Sequence, residues 1–281
     1  MSNEEIMFKQ GVFFKWFFLG IGFLFLYIPI LSLIVFSFND SALASSWSGF
    51  SLRWYKSLFQ DQALLRAAWL SLKIAVLTAT AAVIIGTWAG YVLVRKGHFK
   101  GIGLYIGMLN APLVIPDVIL GISLLLMIVE IRNITGFPAG NGIFTIWLGH
   151  VTLCVAYVSV VIASRVRELD RSLEEAALDL GATPLKVFFS ITLPLIAPAL
   201  VAAWLLAFTL SLDDVVIASF LNGPGYTTLP IEVFSRVRLG IKPEVNALAT
   251  LFIVLVGVFV IIANRLQTGT TRNENNIDLR S

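Results

Sequence analysis

The longest apolar runs constrain this chain before any other feature does. Trp16–Phe38, Ala67–Val94, Ile102–Val129, Ile143–Ser164, Ile191–Phe220 and Val245–Ala263 each reach or approach the length of a membrane span, about 20 residues of helix. In hydrocarbon every backbone amide must be paired internally, which only helices and closed barrels achieve. These runs are continuous rather than alternating, so they read as helices. The expectation is an all-α, polytopic membrane protein with six transmembrane helices. Composition agrees: 58% of residues are hydrophobic and 13% charged, about half the charge of a typical soluble domain. The net charge of +3 comes with no basic stripe, so nucleic acid is not an expected partner; the lipid bilayer is.

The first run follows Lys9 and Lys15, and Ala42-Leu43-Ala44 looks like a signal-peptidase site. At 23 residues the run is too long for a signal-peptide core, so an uncleaved first span is expected. Basic residues set the orientation. With both termini cytoplasmic, the inner segments collect Arg95, Lys96, Lys100, Arg165, Arg167, Arg171 and Lys186, as the positive-inside rule requires of a bacterial inner membrane protein. This gives a cytoplasmic tail at 1–15, a membrane domain at 16–264 with a cytoplasmic segment at 165–194, and a polar tail at 265–281. Two long outer stretches, Asn39–Arg66 and Leu221–Glu244, are expected to be ordered and functional. The one cysteine, Cys154, lies in an apolar run and reads as a small buried hydrophobe.

Between the fourth and fifth spans the sequence writes two short helices. Ser172-Leu173-Glu174-Glu175 is a capping box, and Leu173, Ala176, Ala177 and Leu180 form one helical face. Gly181 is a C-terminal stop. Thr183-Pro184 restarts a helix as N-cap and N1. The alanine-rich face suits close docking against a protein.

Glu175-Ala176-Ala177, then Gly181 after three residues, then Ile191, Leu193 and Pro194 after nine more, resemble the EAA signature of ABC importer permeases at every fixed position. The resemblance implies the six-helix type I permease fold. It also implies that this segment is the coupling helix seated on an ATPase subunit, with Glu174, Glu175, Ala176, Ala177 and Gly181 making the dock. The chain carries no G-x-x-x-x-G-K-[ST] loop. ATP and Mg²⁺ are therefore expected on separate subunits, with no cofactor here and no enzymatic site.

Ionisable residues inside spans are functional candidates. Asp213 and Asp214 sit in the fifth span, where a central Asp costs about 2.5–3.5 kcal/mol to insert. Adjacent helical residues point about 100° apart, so one can line a cation pathway while the other caps a break or pairs with a basic group. Asp117 follows Pro112 and Pro116, which imply a kinked or interrupted third span; it reads as a cap or as a substrate contact. Glu232 is placed in an outer loop after the turn Asn222–Gly225, as a solvated charge or a contact for substrate or binding protein. Trp88, Trp147 and Trp204 are candidate aromatic walls for a cationic substrate, whereas Trp47, Trp54 and Trp69 read as interfacial. His150 reads as a hydrogen-bonded packing residue, with no second histidine near it to support a metal site. No Ser/His dyad is visible.

The runs TLSLDDVVIASF, NGPGYTTLP and PEVNALAT resemble the permease subunits of polyamine ABC importers, the second permease of putrescine importers above all, with spermidine importers next. The resemblance implies a heterodimer with a second permease, two ATP-binding subunits and a periplasmic substrate-binding protein. A permease for another small solute on the same frame, or an ion-coupled secondary transporter, are the alternatives.

Overall fold

The computed structural model describes residues 3–41, 46–238 and 243–254. The tail after Gln267, the end of the sixth span beyond Val254 and the Ala42–Ala44 sequence lie outside them. The chain divides into two units, 1–62 with 235–281, and 63–234.

In the first unit α1 runs Asn3–Ser37, so the helix reaches into the segment assigned to the N-terminal tail. An 18-residue apolar window within Phe14–Ser37 has none of its residues buried within the chain. Phe25 is 82% exposed, a surface made for lipid or for another membrane helix. Beyond α1, buried Asn39 organises the stretch that follows. Its Nδ2 donates to the Ser46 carbonyl at 2.6 Å, and its Oδ1 accepts from the amides of Ser41 and Ser48 at 3.2 and 2.9 Å. The Trp54 indole donates to the Asn39 carbonyl at 2.7 Å while the Arg53 guanidinium lies over its ring. Trp54 thus pins the loop through its indole N–H. The short helix α2 (Arg53–Gln60) completes this stretch, which carries no long apolar run to announce a helix. Pro243–Val254 is a shorter apolar helix overlapping the run expected as the sixth span, and Glu244 accepts from the Ser57 hydroxyl at 2.8 Å.

The second unit is built around α6 (Ile143–Glu168), which lies in both apolar cores. One core joins Ile74 of α3 (Gln62–Arg95) to Leu124 of α5 (Asp117–Thr135), Ile146 of α6 and Ile217 of α10 (Val216–Leu221). The other joins Ala79 and Ala82 of α3 to Val158 and Ile162 of α6 and Ala203 and Ala207 of α9 (Leu193–Asp213). Cys154 is fully buried there, as read from the sequence. Small residues let α3 and α6 approach closely, the packing mode favoured where lipid removes the hydrophobic drive. A Cβ on Gly90 would stand 2.7 Å from the Ser159 carbonyl oxygen and 3.0 Å from the Ala163 amide nitrogen. Both are backbone atoms of a packed helix and cannot swing aside. Gly90→Ala should therefore destabilise the bundle by about 1–3 kcal/mol. Thermal unfolding of the purified protein in detergent checks this, and an unchanged Tm would refute the contact.

Among the described residues, five helical stretches are long and apolar enough to cross a membrane: Phe14–Ser37, Gln62–Arg95, Asp117–Thr135, Ile143–Glu168 and Pro184–Asp213. Two expected boundaries change. The third span is not one helix over Ile102–Val129: it breaks at Ile115-Pro116 into α4 (Ile102–Val114) and α5. Pro116 supplies no N–H and cannot continue α4, and α4 alone rises only about 20 Å. The fifth span starts earlier, at Pro184, and stops at Asp213 rather than Phe220, because the chain leaves the helix at Asp214 and restarts as α10. The span's first residues form α8 (Pro184–Val187) and a π-helical turn, Phe188–Thr192, before α9.

Candidate functional site

Two clusters in the second unit hold most of the residues singled out above, and Asp117 and Glu232 lie apart from them. The first surrounds α7, Arg171–Asp179. Its N-cap is Asp170, whose carboxylate accepts the Ser172 amide at 2.9 Å. The helix thus starts ahead of the expected Ser172 cap, because a carboxylate two residues upstream reaches the free amides first. That hydrogen bond, with one to the Ser172 side chain, holds the Asp170 carboxyl below its ordinary range. The cap is therefore present above the ordinary carboxylate pKa and fades as pH falls through the lowered value. At the other end Gly181 takes φ +87°. Its amide bonds the Leu178 carbonyl at 2.9 Å, and the Ala182 amide bonds the Ala177 carbonyl at 3.0 Å. This is a Schellman stop, and it turns the chain from α7 into α8.

The two adjacent glutamates of α7 part company. Glu174 faces inward. Its Oε2 lies 2.9 Å from Arg95 Nε, and its Oε1 accepts from Arg95 Nη2 at 3.0 Å and from the Thr192 hydroxyl at 2.8 Å. The side chains of Arg95 and Glu174 are 9% and 13% exposed, so the ion pair is largely dry. It ties α7 to the end of α3 and to the π turn that leads into α9. Glu175 and Ala176 are exposed, Ala177 is half-buried, and Leu173 and Leu180 stand out at 48% and 89% exposure. An exposed apolar ridge carrying one carboxylate remains for a partner. Nothing in the sequence signals Arg95 or Thr192 as members of this site; their partner lies 79 and 18 residues away. Trp88 belongs to the same end of the bundle. Its ring stacks on Phe188 of the π turn at 4.5 Å, and Tyr91 meets Phe188 edge-on at 4.9 Å.

The second cluster lies where α9 breaks. Asp214 is the residue that caps the break: its Oδ1 and Oδ2 accept the amides of Ile217 and Ala218 at 3.3 and 2.7 Å. Oδ2 also stands 3.1 Å from His150 Nε2, and His150 Nδ1 is 2.7 Å from the Ser211 hydroxyl. The structure therefore contains a Ser/His contact that was not visible in sequence, since the two residues sit 61 apart on different helices. His150 is 2% exposed and Ser211 5%. Asp214 shares its oxygens between the cap and His150, so the trio forms a buried hydrogen-bonded network joining α6 to the break in α9. His150 is the hydrogen-bonded packing residue the sequence suggested. Asp213, by contrast, is exposed on α9, on one stripe with Thr209, Leu206 and Ala202 at helical spacing. Trp204, half-buried on the same helix, stacks on Phe208 at 5.3 Å and donates from its indole to the Thr80 hydroxyl at 3.2 Å.

Asp117 opens α5 directly after Pro116. It makes no side-chain capping bond, although a carboxylate in the first turn suits the helix dipole. Glu232 is not in a loop: it lies in α11 (Leu229–Arg238), whose Leu229 amide is taken by the Ser71 hydroxyl at 2.8 Å. It lines a cavity of about 420 Å³ together with Arg66, Trp69, Lys73 and Tyr226.

With this geometry in hand, the likenesses to known proteins are informative. Residues 82–272 match the family described as binding-protein-dependent transport system inner membrane component. The chain is 60% identical over 243 residues to the putrescine transport system permease protein PotI of Escherichia coli K12, covering 86% of each chain. It is 41% identical over 248 residues to the spermidine/putrescine transport system permease protein PotC of the same strain, covering 88% of this chain and 91% of that one. Among solved structures, a chain of a bacterial ABC transporter that imports the acidic polysaccharide alginate superposes with TM-score 0.74 at 17% identity, over 94% of this chain and 98% of that one. A chain of the inward-facing MetNI methionine ABC transporter gives 0.59 at 19% identity, over 72% and 94%. At those identities the structural matches speak for the fold.

Proposed function

The chain belongs to the family of binding-protein-dependent transport system inner membrane components, and from that premise we propose that it is the permease subunit through which an ABC importer moves a polyamine, putrescine first and spermidine next. It is a transport subunit and not an enzyme; ATP and Mg²⁺ belong to two separate ATPase subunits. A second permease completes the pathway, and a periplasmic binding protein delivers substrate. Both termini are assigned to the cytoplasm, from the distribution of basic residues.

The observation that carries the mechanism is the pairing of an outward ridge with an inward latch on α7. Leu173, Glu175, Ala176 and Leu180 meet the ATPase, with Ala177 and Gly181 shaping the fit. Glu174 passes the displacement to α3 through Arg95 and to α9 through Thr192. The π turn at Phe188–Thr192, with Trp88 stacked on it, is a place where α9 can change register, since such turns disrupt the regular ladder and cluster at functional sites. At the far end of α9 stands Asp213, an ionisable residue on an otherwise largely apolar exposed stripe. Such residues face a pathway rather than lipid. A carboxylate there suits a diamine, and Trp204 adds an aromatic surface nearby on the same helix. Asp214 holds the break that presents Asp213. Asp117 provides a further carboxylate beside a second helix break. Glu232 is assigned to the outer mouth: Arg66 and Lys73 share its cavity, which weakens it as a polycation site.

The test is putrescine-stimulated ATPase activity of the reconstituted complex with its binding protein. Asp213→Asn should reduce the stimulation roughly ten-fold or more, as expected for removing one member of a desolvated charge pair, without lowering Tm. Asp214→Asn should lower Tm instead. Stimulation unaffected by Asp213→Asn would remove that residue from the pathway, and ATPase activity indifferent to putrescine and spermidine would refute the substrate.

A further inference from the structure

A second charged cleft adjoins the coupling segment and shares only Arg95 with the latch described above. It has a volume of about 460 Å³ and is lined by Val94, Arg95, Lys96, Gly97, His98, Phe99 and Arg171. Three fixed cations and a histidine face it, and no carboxylate lines it. Arg95 is neutralised by Glu174, and Arg171 donates to the Val94 carbonyl at 3.3 Å, a bond that leaves its charge uncompensated. Lys96 and His98 have no ion-pair partner among the described residues. Such a lining repels a polyamine and attracts an oxyanion.

The position of the cleft identifies which one. The apolar run of α3 ends at Val94 and that of α4 begins at Ile102, so the turn between them lies at the level where hydrocarbon gives way to headgroups. Phe99, an exposed ring in that turn, suits an interfacial anchor. We propose that the cleft between the α3–α4 turn and the start of α7 binds the phosphate headgroup of an anionic phospholipid. The headgroup bridges Lys96 of the turn to Arg171, the first residue of α7, so lipid occupancy steadies the coupling helix in its seat. The proposal rests on the reading of α7 as the cytoplasmic coupling element. Cationic pockets at the cytoplasmic ends of spans are suited to this chemistry.

The assembled importer would be placed in nanodiscs of mixed phosphatidylethanolamine and phosphatidylglycerol, extracted into detergent, and its retained lipids quantified by native mass spectrometry. Wild type should retain phosphatidylglycerol selectively. Lys96→Gln and Arg171→Gln should each reduce that retention roughly five-fold, the ratio corresponding to ~1 kcal/mol per cation near an anionic surface. Lys96→Arg should keep it, and so should Lys100→Gln, which removes an equal charge just outside the cleft. Equal retention of both lipids, or an equal loss in Lys100→Gln, would overturn the site. Release of phosphatidylglycerol by millimolar inorganic phosphate would overturn the lipid assignment in favour of a free oxyanion. Substrate-stimulated ATPase measured on the same preparation separates the two readings: its absence beside selective retention defeats the transport reading and leaves the lipid site standing.

Discussion

Replacing Glu174 with Ala should collapse substrate-driven uptake and lower the Tm of the protein, whereas Glu175→Ala, one residue along, should leave Tm unchanged and weaken capture of the ATPase subunits. The difference follows from burial. Glu174 accepts from both Arg95 and Thr192, and the ion pair is about a tenth exposed. Truncating it strands a guanidinium in a nearly dry setting and leaves the Thr192 hydroxyl without its acceptor. Breaking one side of a buried pair costs about 3–5 kcal/mol, far more than the pair is worth against two apolar side chains. Arg95→Ala should therefore be comparably damaging, and Glu174→Met/Arg95→Met should recover much of the Tm while uptake stays low, because a methionine pair fills space without coupling α7 to α9. Tm in detergent and ATPase co-purification on the two single variants decide the matter. Indistinguishable behaviour of Glu174→Ala and Glu175→Ala in both assays would refute the inward latch.

This contrast also shows how far the sequence could be read. The apolar runs, the EAA spacing and Gly181 were legible because each depends on local rules of length, periodicity or backbone conformation. The inward role of Glu174 was not. In sequence it sits beside Glu175 in the first turn of an amphipathic helix, where acidic residues are usually solvated, and its partner Arg95 lies 79 residues and three helices away. The same limit applies to Asp214. A cap for a helix break was foreseeable from two adjacent carboxylates that cannot share one face, but His150 and Ser211 come to it only through the packing of α6 on α9. Asp213 separated from Asp214 for a legible reason, the 100° step between neighbours. Which of the two would be exposed was decided by where α9 ends. The split of the third span was half legible: Pro112 and Pro116 announced a disturbance, but whether a proline kinks a helix or ends it depends on what the freed backbone groups meet. Here Pro112 stays inside α4 and Pro116 starts a new helix.

Substitutions at Gly181 should uncouple the importer in an order set by backbone conformation rather than by size. A Cβ at this position meets nothing within 4 Å, so no steric clash opposes a side chain. What opposes it is φ +87°. The left-handed region costs an ordinary L-residue roughly 1–2 kcal/mol, asparagine less because its short amide can bond the local backbone, and a β-branched residue the most. Gly181→Asn should accordingly retain most of the substrate-stimulated ATPase activity, Gly181→Ala should lose part of it, and Gly181→Val should fall about ten-fold or further. The strain is relieved only by giving up the hydrogen bonds from Gly181 to Leu178 and from Ala182 to Ala177, which unwinds the end of α7 and re-aims α8. The exposed ridge of Leu173, Glu175 and Ala176 would survive, so the ATPase subunits should still co-purify while substrate no longer drives hydrolysis. Retained docking with lost stimulation is the signature of a broken transmission. If Gly181→Val kept full stimulation, the turn could not be part of the coupling path. If Asn, Ala and Val were equally harmful, the damage would come from a side chain obstructing the docked ATPase, and the left-handed turn would not be its cause.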